Sequence, residues 1–250
     1  MENRMSRYYD QVHALVERAG HMAQELRAQG IEHHIKTDGT PVTNADIAVS
    51  EFLTQELLAA FPDTQVISEE TTDLSGISHP LTWAIDPIDG TKRYLSGKDT
   101  WCIMVALFDT EAIFSMIYYP DLATWYWAER GLGAWIENID GRHELSIHAV
   151  AKPLRVQYAP ECTMQYGELS SHGYMKHVRR IIVGKLDVYL RSGVGYWDLV
   201  PPMLLLTEAG GVVVGLDGKA FTLNALDGIA HNVVSGHPAA VAEVLQNLKR

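Results

Sequence analysis

Apolar residues return at helical spacing twice near the start of the chain. Val12, Leu15, Val16, Ala19, Met22, Ala23 and Leu26 share one face of a 3.6-residue period, which predicts an amphipathic helix ending near Gly30. Ile47, Phe52, Leu53, Leu57 and Leu58 predict a second helix from about Ala45 to Ala60. Between them, the stretch from Lys36 to Thr43 contains Asp-Gly and Thr-Pro steps, which favour an exposed loop and turn. That loop is a candidate lid.

The period then shortens. Strand-like segments read at Gln65 to Ser68, Thr82 to Asp86, Trp101 to Phe108, Ala112 to Tyr118, Thr124 to Ala128 and Ala134 to Ile136, separated by turn residues. Gly131-Leu132-Gly133 fits a hairpin turn. Two helices followed by a largely antiparallel sheet is the segregated pattern of an α+β layer. The last hundred residues alternate differently: strand Leu186 to Leu190, helix from about Leu199 to Glu208, strands Val212 to Gly215 and Asn232 to Ser235, and a helix from Pro238 to Leu248. We place the boundary between Asn138 and Pro153, giving an N-terminal half over 1–145 and a C-terminal α/β half over 146–250.

Composition narrows the possibilities. With 47% hydrophobic and 20% charged residues among 250, the chain has the make-up of a soluble globular protein. A chain of this size buries roughly 70% of its surface on folding and needs no staple. The formal net charge of −11 argues against a nucleic-acid polymer or an anionic membrane as partner. The apolar run Cys102 to Phe108 is far shorter than the roughly 20 residues that span a bilayer. Cys102 and Cys162 are too few and too far apart for a disulfide framework or a thiolate zinc site, and a reducing cytoplasm is expected. The acidic excess favours cation binding.

The chemistry concentrates in Trp83-Ala84-Ile85-Asp86-Pro87-Ile88-Asp89-Gly90-Thr91. Pro87 biases Asp86 to an extended conformation, and Asp89-Gly90 turns the chain, so two carboxylates can converge on one point. Carboxylates and a backbone carbonyl are the hard oxygen ligands that magnesium takes. A lone D-x-x-D is most often solvated surface. D-P-x-D-G-T fixes five positions, and its chance occurrence is on the order of 10⁻⁴ per chain at roughly 5% usage per residue. Three further segments accompany it: Ser68-Glu69-Glu70 after a strand, Thr43-Asn44-Ala45-Asp46 at a helix start where capping is as good a reading as catalysis, and Trp197-Asp198, where Asp198 could cap the following helix with Pro201 and Pro202 near its first turn.

Together these segments, in order from Lys36 to Gly211, resemble the inositol monophosphatase superfamily of magnesium-dependent, lithium-sensitive phosphatases. The resemblance implies a layered αβαβα sandwich, usually in a homodimer. It implies that Glu69, Asp86 and the Ile88 carbonyl hold one Mg²⁺, that Asp86, Asp89 and Asp198 hold a second, and that a third is possible. Gly90 and Thr91 would contact phosphate through their amides. Asp46 and the Thr91 hydroxyl would orient the attacking water, and Lys36, Asp38 and Glu70 would surround a mobile metal-site loop.

The substrate implied is a small phosphate monoester, either an inositol phosphate or a 3′-phosphonucleotide such as adenosine 3′,5′-bisphosphate. Inositol-selective members carry a carboxylate seven residues before the W-D aspartate, where this chain has Arg191. An arginine prefers a second anionic group to a neutral polyol. Lys92, Ser68 and the stretch Gly184 to Arg191 resemble the 3′(2′),5′-bisphosphate nucleotidase branch; a surface salt bridge is the bland reading of Arg191. Histidinol-phosphate phosphatases share the core motif and stand as an alternative, as does a non-catalytic phospho-ligand-binding protein of the same fold. A glycosidase using Glu69 or Glu70 with Asp86 would leave the Gly-Thr element unexplained. His33 and His34 lack zinc spacing. His143, His148, His172 and His177 read as surface, and Trp125, Tyr126 and Trp127 as core and dimer contacts.

Overall fold

The computed structural model describes residues 6–37, 39–70, 81–150, 152–159, 168–169, 173–224 and 228–248. Asp38, Cys162 and His172 lie outside the described residues.

The chain opens with helix α1 (Tyr9–Gln29), a small hairpin of β1 (His33–Ile35) and β2 (Pro41–Thr43), and helix α2 (Asn44–Ala60). There follow β3 (Gln65–Ser68), β4 (Thr82–Asp89), the short helix α3 (Thr91–Leu95), β5 (Cys102–Phe108), β6 (Ala112–Tyr119), β7 (Thr124–Glu129), β8 (Gly133–Asn138) and β9 (Gly141–Leu145). The remainder is β10 (Val156–Tyr158), β11 (Glu168–Leu169), α4 (Tyr174–Ile182), β12 (Val188–Gly195), α5 (Tyr196–Glu208), β13 (Val212–Val214), β14 (Ile229–Gly236) and α6 (Pro238–Leu248).

Strands β3 to β9 form a seven-stranded sheet in sequence order, parallel only between β3 and β4. A second, five-stranded sheet has the order β11-β10-β12-β14-β13. Alternation along the strands sorts side chains between layers. Trp83 and Ile85 of β4 pack with α1 and α2 residues such as Val16, Ala19, Leu53 and Leu57, while Ala84 faces the other way into a core shared with α4, α5 and the second sheet. On β12, Tyr189 faces that central core, and Val188 and Leu190 face Val241 and Val244 of α6. The layers are therefore α1/α2, sheet, α4/α5, sheet, α6: an αβαβα sandwich.

Several local expectations change. The loop before α2 is a paired hairpin whose Pro41, Val42 and Thr43 are buried, because β2 packs against α2 and α3. Helix α5 begins at Tyr196, with Gly195 as its N-cap and no side-chain capping bond, so Asp198 is a first-turn residue rather than the cap. Pro201 and Pro202 lie inside α5, beyond its first turn, where they remove amide donors to the carbonyls four residues earlier. The strand expected at Leu186 begins at Val188, and Trp101 precedes β5. His177 is fully buried in α4, stacked on Tyr189 at 3.7 Å between ring centroids, because α4 is a core helix. Trp125, Tyr126 and Trp127, by contrast, are buried as the core reading expects, with Trp125 stacked on Tyr118 and on His13. The seven-stranded sheet ends at Leu145 and the next described strand starts at Val156.

Candidate active site

Residues three apart on a regular strand point to opposite faces. Asp86 and Asp89 escape this through a register irregularity in β4: Asp86 pairs with Met104 but Asp89 with Cys102, so three steps on β4 match two on β5. A bulge of this kind turns the later side chain to the face of the earlier one. Pro87, with no N–H to offer an inner strand, sits inside it. Gly90 then turns the chain with φ 90°, into the left-handed region that glycine enters at little cost, and α3 begins at Thr91. From the opposite side, the β12 to α5 junction delivers Asp198. Carboxylate oxygens of Asp86, Asp89 and Asp198 all lie within 4.8 Å of one another.

These residues line a cavity of about 340 Å³ together with Glu69, Ile88, Gly90, Thr91, Lys92, Arg93, Thr40, Pro41 and Gly173. Of the expected site residues, Lys36, Asp46, Glu70 and Arg191 are not among the lining residues. Lys36 Nζ donates to Glu69 Oε1 at 3.1 Å and to Glu70 Oε1 at 2.6 Å, tying both glutamates to the β1–β2 hairpin. Asp46 is buried at the start of α2 in a capping box with Thr43. The Thr91 hydroxyl donates to the Ile88 carbonyl at 3.3 Å. Arg191 Nε donates to the Gly193 carbonyl at 2.8 Å, and its charge acts on Asp89 and Asp198.

Burial and mutual repulsion raise the carboxyls of the cavity. Burial drives the Asp86 carboxyl well above the usual range, and the charges of Glu69, Asp198, Asp89 and Asp46 push it further. Asp198 is pushed up to about 7 by burial and by Asp89 and Glu69, against the pull of Arg191. Asp89 is also raised by burial, with Arg93, the Cys102 thiol and Arg191 opposing. Asp46 rises to about 6, burial outweighing its bonds to Thr43, and Glu70 to about 7, burial outweighing Lys36. Lys36 itself is held protonated: burial works against its charge, but Glu70 and Glu69 outweigh that.

Asp86 Oδ1 is buried with no hydrogen-bond partner. An orphaned carboxylate oxygen among acidic neighbours is a costly arrangement unless a cation completes it. The donor set of carboxylates and one carbonyl matches a hard divalent ion, so the residues present fit magnesium.

Sequence reasoning missed Arg93 and Gly173 as cavity residues. Arg93 follows the motif by two positions and carries no spacing signal. Gly173 caps α4, a helix whose apolar residues Tyr174, Met175, Val178, Ile181 and Ile182 do have helical spacing and could have revealed it. A larger cavity, about 760 Å³, opens beside Lys152, Arg155, Arg180 and Lys185. It lies where β10 and β12 begin, whereas β12 runs towards Asp198 at its other end, and the acidic cluster is not part of it.

Comparison with known proteins identifies the family. The family model described as "Inositol monophosphatase family" matches residues 5–249. A 3′(2′),5′-bisphosphate nucleotidase CysQ of Aggregatibacter actinomycetemcomitans is 29% identical over 236 residues, 84% of this chain and 85% of that protein. A Streptomyces griseus protein named glucose-1-phosphate thymidylyltransferase is 33% identical over 243 residues, 87% of this chain and 91% of its own length. A Mycobacterium tuberculosis histidinol-phosphatase is 30% identical over 231 residues, covering 83% and 86% of the two chains. Among solved structures, the SuhB protein of Bartonella henselae superposes with a TM-score of 0.77 at 19% identity over 98% of this chain and 99% of that one. An inositol monophosphatase/NADP phosphatase complexed with Mg²⁺ and phosphate gives 0.77 at 21% identity, over 94% and 92%. The relatives' names diverge on substrate, but the family match spans nearly every residue, and this chain belongs to the inositol monophosphatase family of magnesium-dependent phosphoric monoester hydrolases.

Proposed function

We propose that the enzyme hydrolyses a small phosphate monoester carrying a second anionic group, the class represented by adenosine 3′,5′-bisphosphate. The observation that carries the metal part of this reading is the orphaned Asp86 Oδ1 amid converging carboxylates. Arg191 supports the substrate part, because its positive charge acts on Asp89 and Asp198.

Glu69, Asp86 and the Ile88 carbonyl would hold one magnesium ion, and Asp86, Asp89 and Asp198 a second. When bound, magnesium supplies Lewis-acid polarisation of the phosphoryl oxygens and lowers the pKa of water. The four carboxylates Glu69, Asp86, Asp89 and Asp198 balance two divalent ions, so a phosphate dianion enters without uncompensated repulsion. The Gly90 and Thr91 amides would hold the phosphoryl oxygens. Thr91 Oγ1 and the Asp46 carboxylate would orient the attacking water, with Asp46 the proton acceptor behind it. Phosphoryl transfer asks chiefly for such positioning and charge neutralisation. Lys36, bonded to Glu69 and Glu70, would keep both glutamates in place.

The family resemblance also supports a homodimer, which sedimentation would test. The substrate test is a turnover panel with Mg²⁺: adenosine 3′,5′-bisphosphate, inositol 1-phosphate and histidinol phosphate. The reading expects the highest kcat/KM for the bisphosphate, and preference for either other substrate would replace it.

A further inference from the structure

Two buried atoms of opposite demand lack partners in the catalytic cavity. One is the acceptor Asp86 Oδ1 and the other is the donor Arg93 Nε. The backbone leaves room for Arg93 here. Its guanidinium lies over Gly90, where a Cβ would stand 2.7 Å from Nε and 2.8 Å from Nη2. On the other side is Gly173, whose Cβ would stand 3.8 Å from Nη2 and 3.0 Å from Asp89 Oδ1. Two glycines thus leave a slot that a guanidinium fills. Among the described residues, the Arg93 side chain makes no hydrogen bond or ion pair. Arginine cannot escape this by losing its proton, so the buried N–H calls for an anionic ligand.

The cavity is polarised end to end. Burial dominates at both carboxyls, but the charges acting on Asp86 are the acids Glu69, Asp198, Asp89 and Asp46, whereas those acting on Asp89 include Arg93 and Arg191. Arg93 comes from α3 and lines the cavity, and Arg191 comes from β12; the charges of both act on Asp89. A planar fork with several donors matches a phosphate better than a point charge does.

Resting on the phosphatase reading above, we infer that Arg93, together with Arg191, clamps a second phosphate group of the substrate at the Asp89 end of the cavity and sets selectivity for bisphosphorylated over monophosphorylated substrates. The nearest competing role is electrostatic: Arg93 could merely screen Asp89. Screening alone predicts that Arg93→Met changes Mg²⁺ affinity and lowers turnover of every substrate alike.

The test compares wild type, Arg93→Met and Arg93→Lys, with thermal melts confirming that each is folded. The clamp predicts that Arg93→Met lowers the ratio of kcat/KM for adenosine 3′,5′-bisphosphate over inositol 1-phosphate by about tenfold or more. Arg93→Lys, which keeps charge but loses the fork, should recover only part of that ratio. A ratio unchanged in both variants overturns the inference while leaving the phosphatase reading intact. Calorimetric binding of inorganic pyrophosphate with Mg²⁺ gives a readout independent of turnover: Arg93→Met should weaken it about tenfold. Unchanged pyrophosphate binding overturns the clamp even if the wild type hydrolyses neither ester, a result that by itself would count against the phosphatase reading.

Discussion

Thr43 and Asp46 hold each other across the first turn of α2. Asp46 Oδ2 accepts from the Thr43 amide at 2.8 Å and from the Thr43 hydroxyl at 2.5 Å, and Thr43 Oγ1 accepts from the amides of Ala45 and Asp46. One pair of residues thus begins the helix and fixes a buried carboxylate behind Glu69 and Lys36. Capping and a role in the site are compatible here because the two oxygens of Asp46 are separable: Oδ2 is committed to Thr43.

Thr43→Ala should therefore cost about 1 kcal/mol of stability through the lost cap. Urea denaturation measures it, and an unchanged midpoint would mean that α2 begins without help from this side chain.

Asp89→Asn and Asp198→Asn each remove one formal charge from the acidic cluster at nearly constant shape. Turnover should fall by at least about 10²-fold, comparable to losing a strong electrostatic contact in the transition state. The fold should survive, since both residues face the cavity rather than a packed core. Near-native kcat in either variant at saturating Mg²⁺ would remove that residue from the machinery.

The layers and the site differed in how far they could be read from the sequence. Periodicity located α1, α2, α6 and most strands of the seven-stranded sheet to within a residue or two, because their apolar faces are long and regular. It missed β9, whose residues Gly141 to Leu145 are mostly exposed, and placed the start of β12 two residues early. The motif gave the positions of Asp86 and Asp89, but their convergence depends on the β4 bulge, a cross-strand register that no linear spacing encodes. Arg93 was invisible for a related reason. Its significance comes from two glycines, one three residues earlier and one eighty residues later, and only the folded chain brings both Gly90 and Gly173 beside it.

Asp121 tests the scaffold beneath the site. It accepts from Gln24 at 2.8 Å, Trp101 Nε1 at 2.6 Å and Arg27 Nη2 at 2.7 Å, linking α1 to the segment ahead of β5. Burial works against its charge, but these donors outweigh it and hold the carboxyl below its ordinary value. A carboxyl lowered on folding contributes stability above its unfolded pKa and loses that contribution as pH falls through the folded value. Asp121→Asn should cost about 1–2 kcal/mol near pH 7, discounted for its partial solvent contact. The gap from wild type should stay level down to about pH 5 and close below about pH 4. A gap that persists undiminished in acid would assign the loss to packing instead of charge.

Gly173→Ala probes the wall of the cavity. The backbone there has φ −58°, which alanine adopts freely, so the only new demand is a Cβ 3.0 Å from Asp89 Oδ1. Displacing that carboxylate by a few tenths of an ångström should weaken Mg²⁺ binding severalfold while the thermal midpoint of the metal-free protein hardly moves. Calorimetric Mg²⁺ affinity equal to wild type would show that Asp89 yields without consequence.

The central claim is that the converging carboxylates of Asp86, Asp89 and Asp198 serve a metal on which phosphoester hydrolysis depends. The most direct measurement is phosphate release from adenosine 3′,5′-bisphosphate and inositol 1-phosphate by the wild-type enzyme, first in excess EDTA and then after Mg²⁺ is restored. The account predicts turnover that vanishes with the chelator and returns with Mg²⁺; full turnover of either ester in excess EDTA would contradict it.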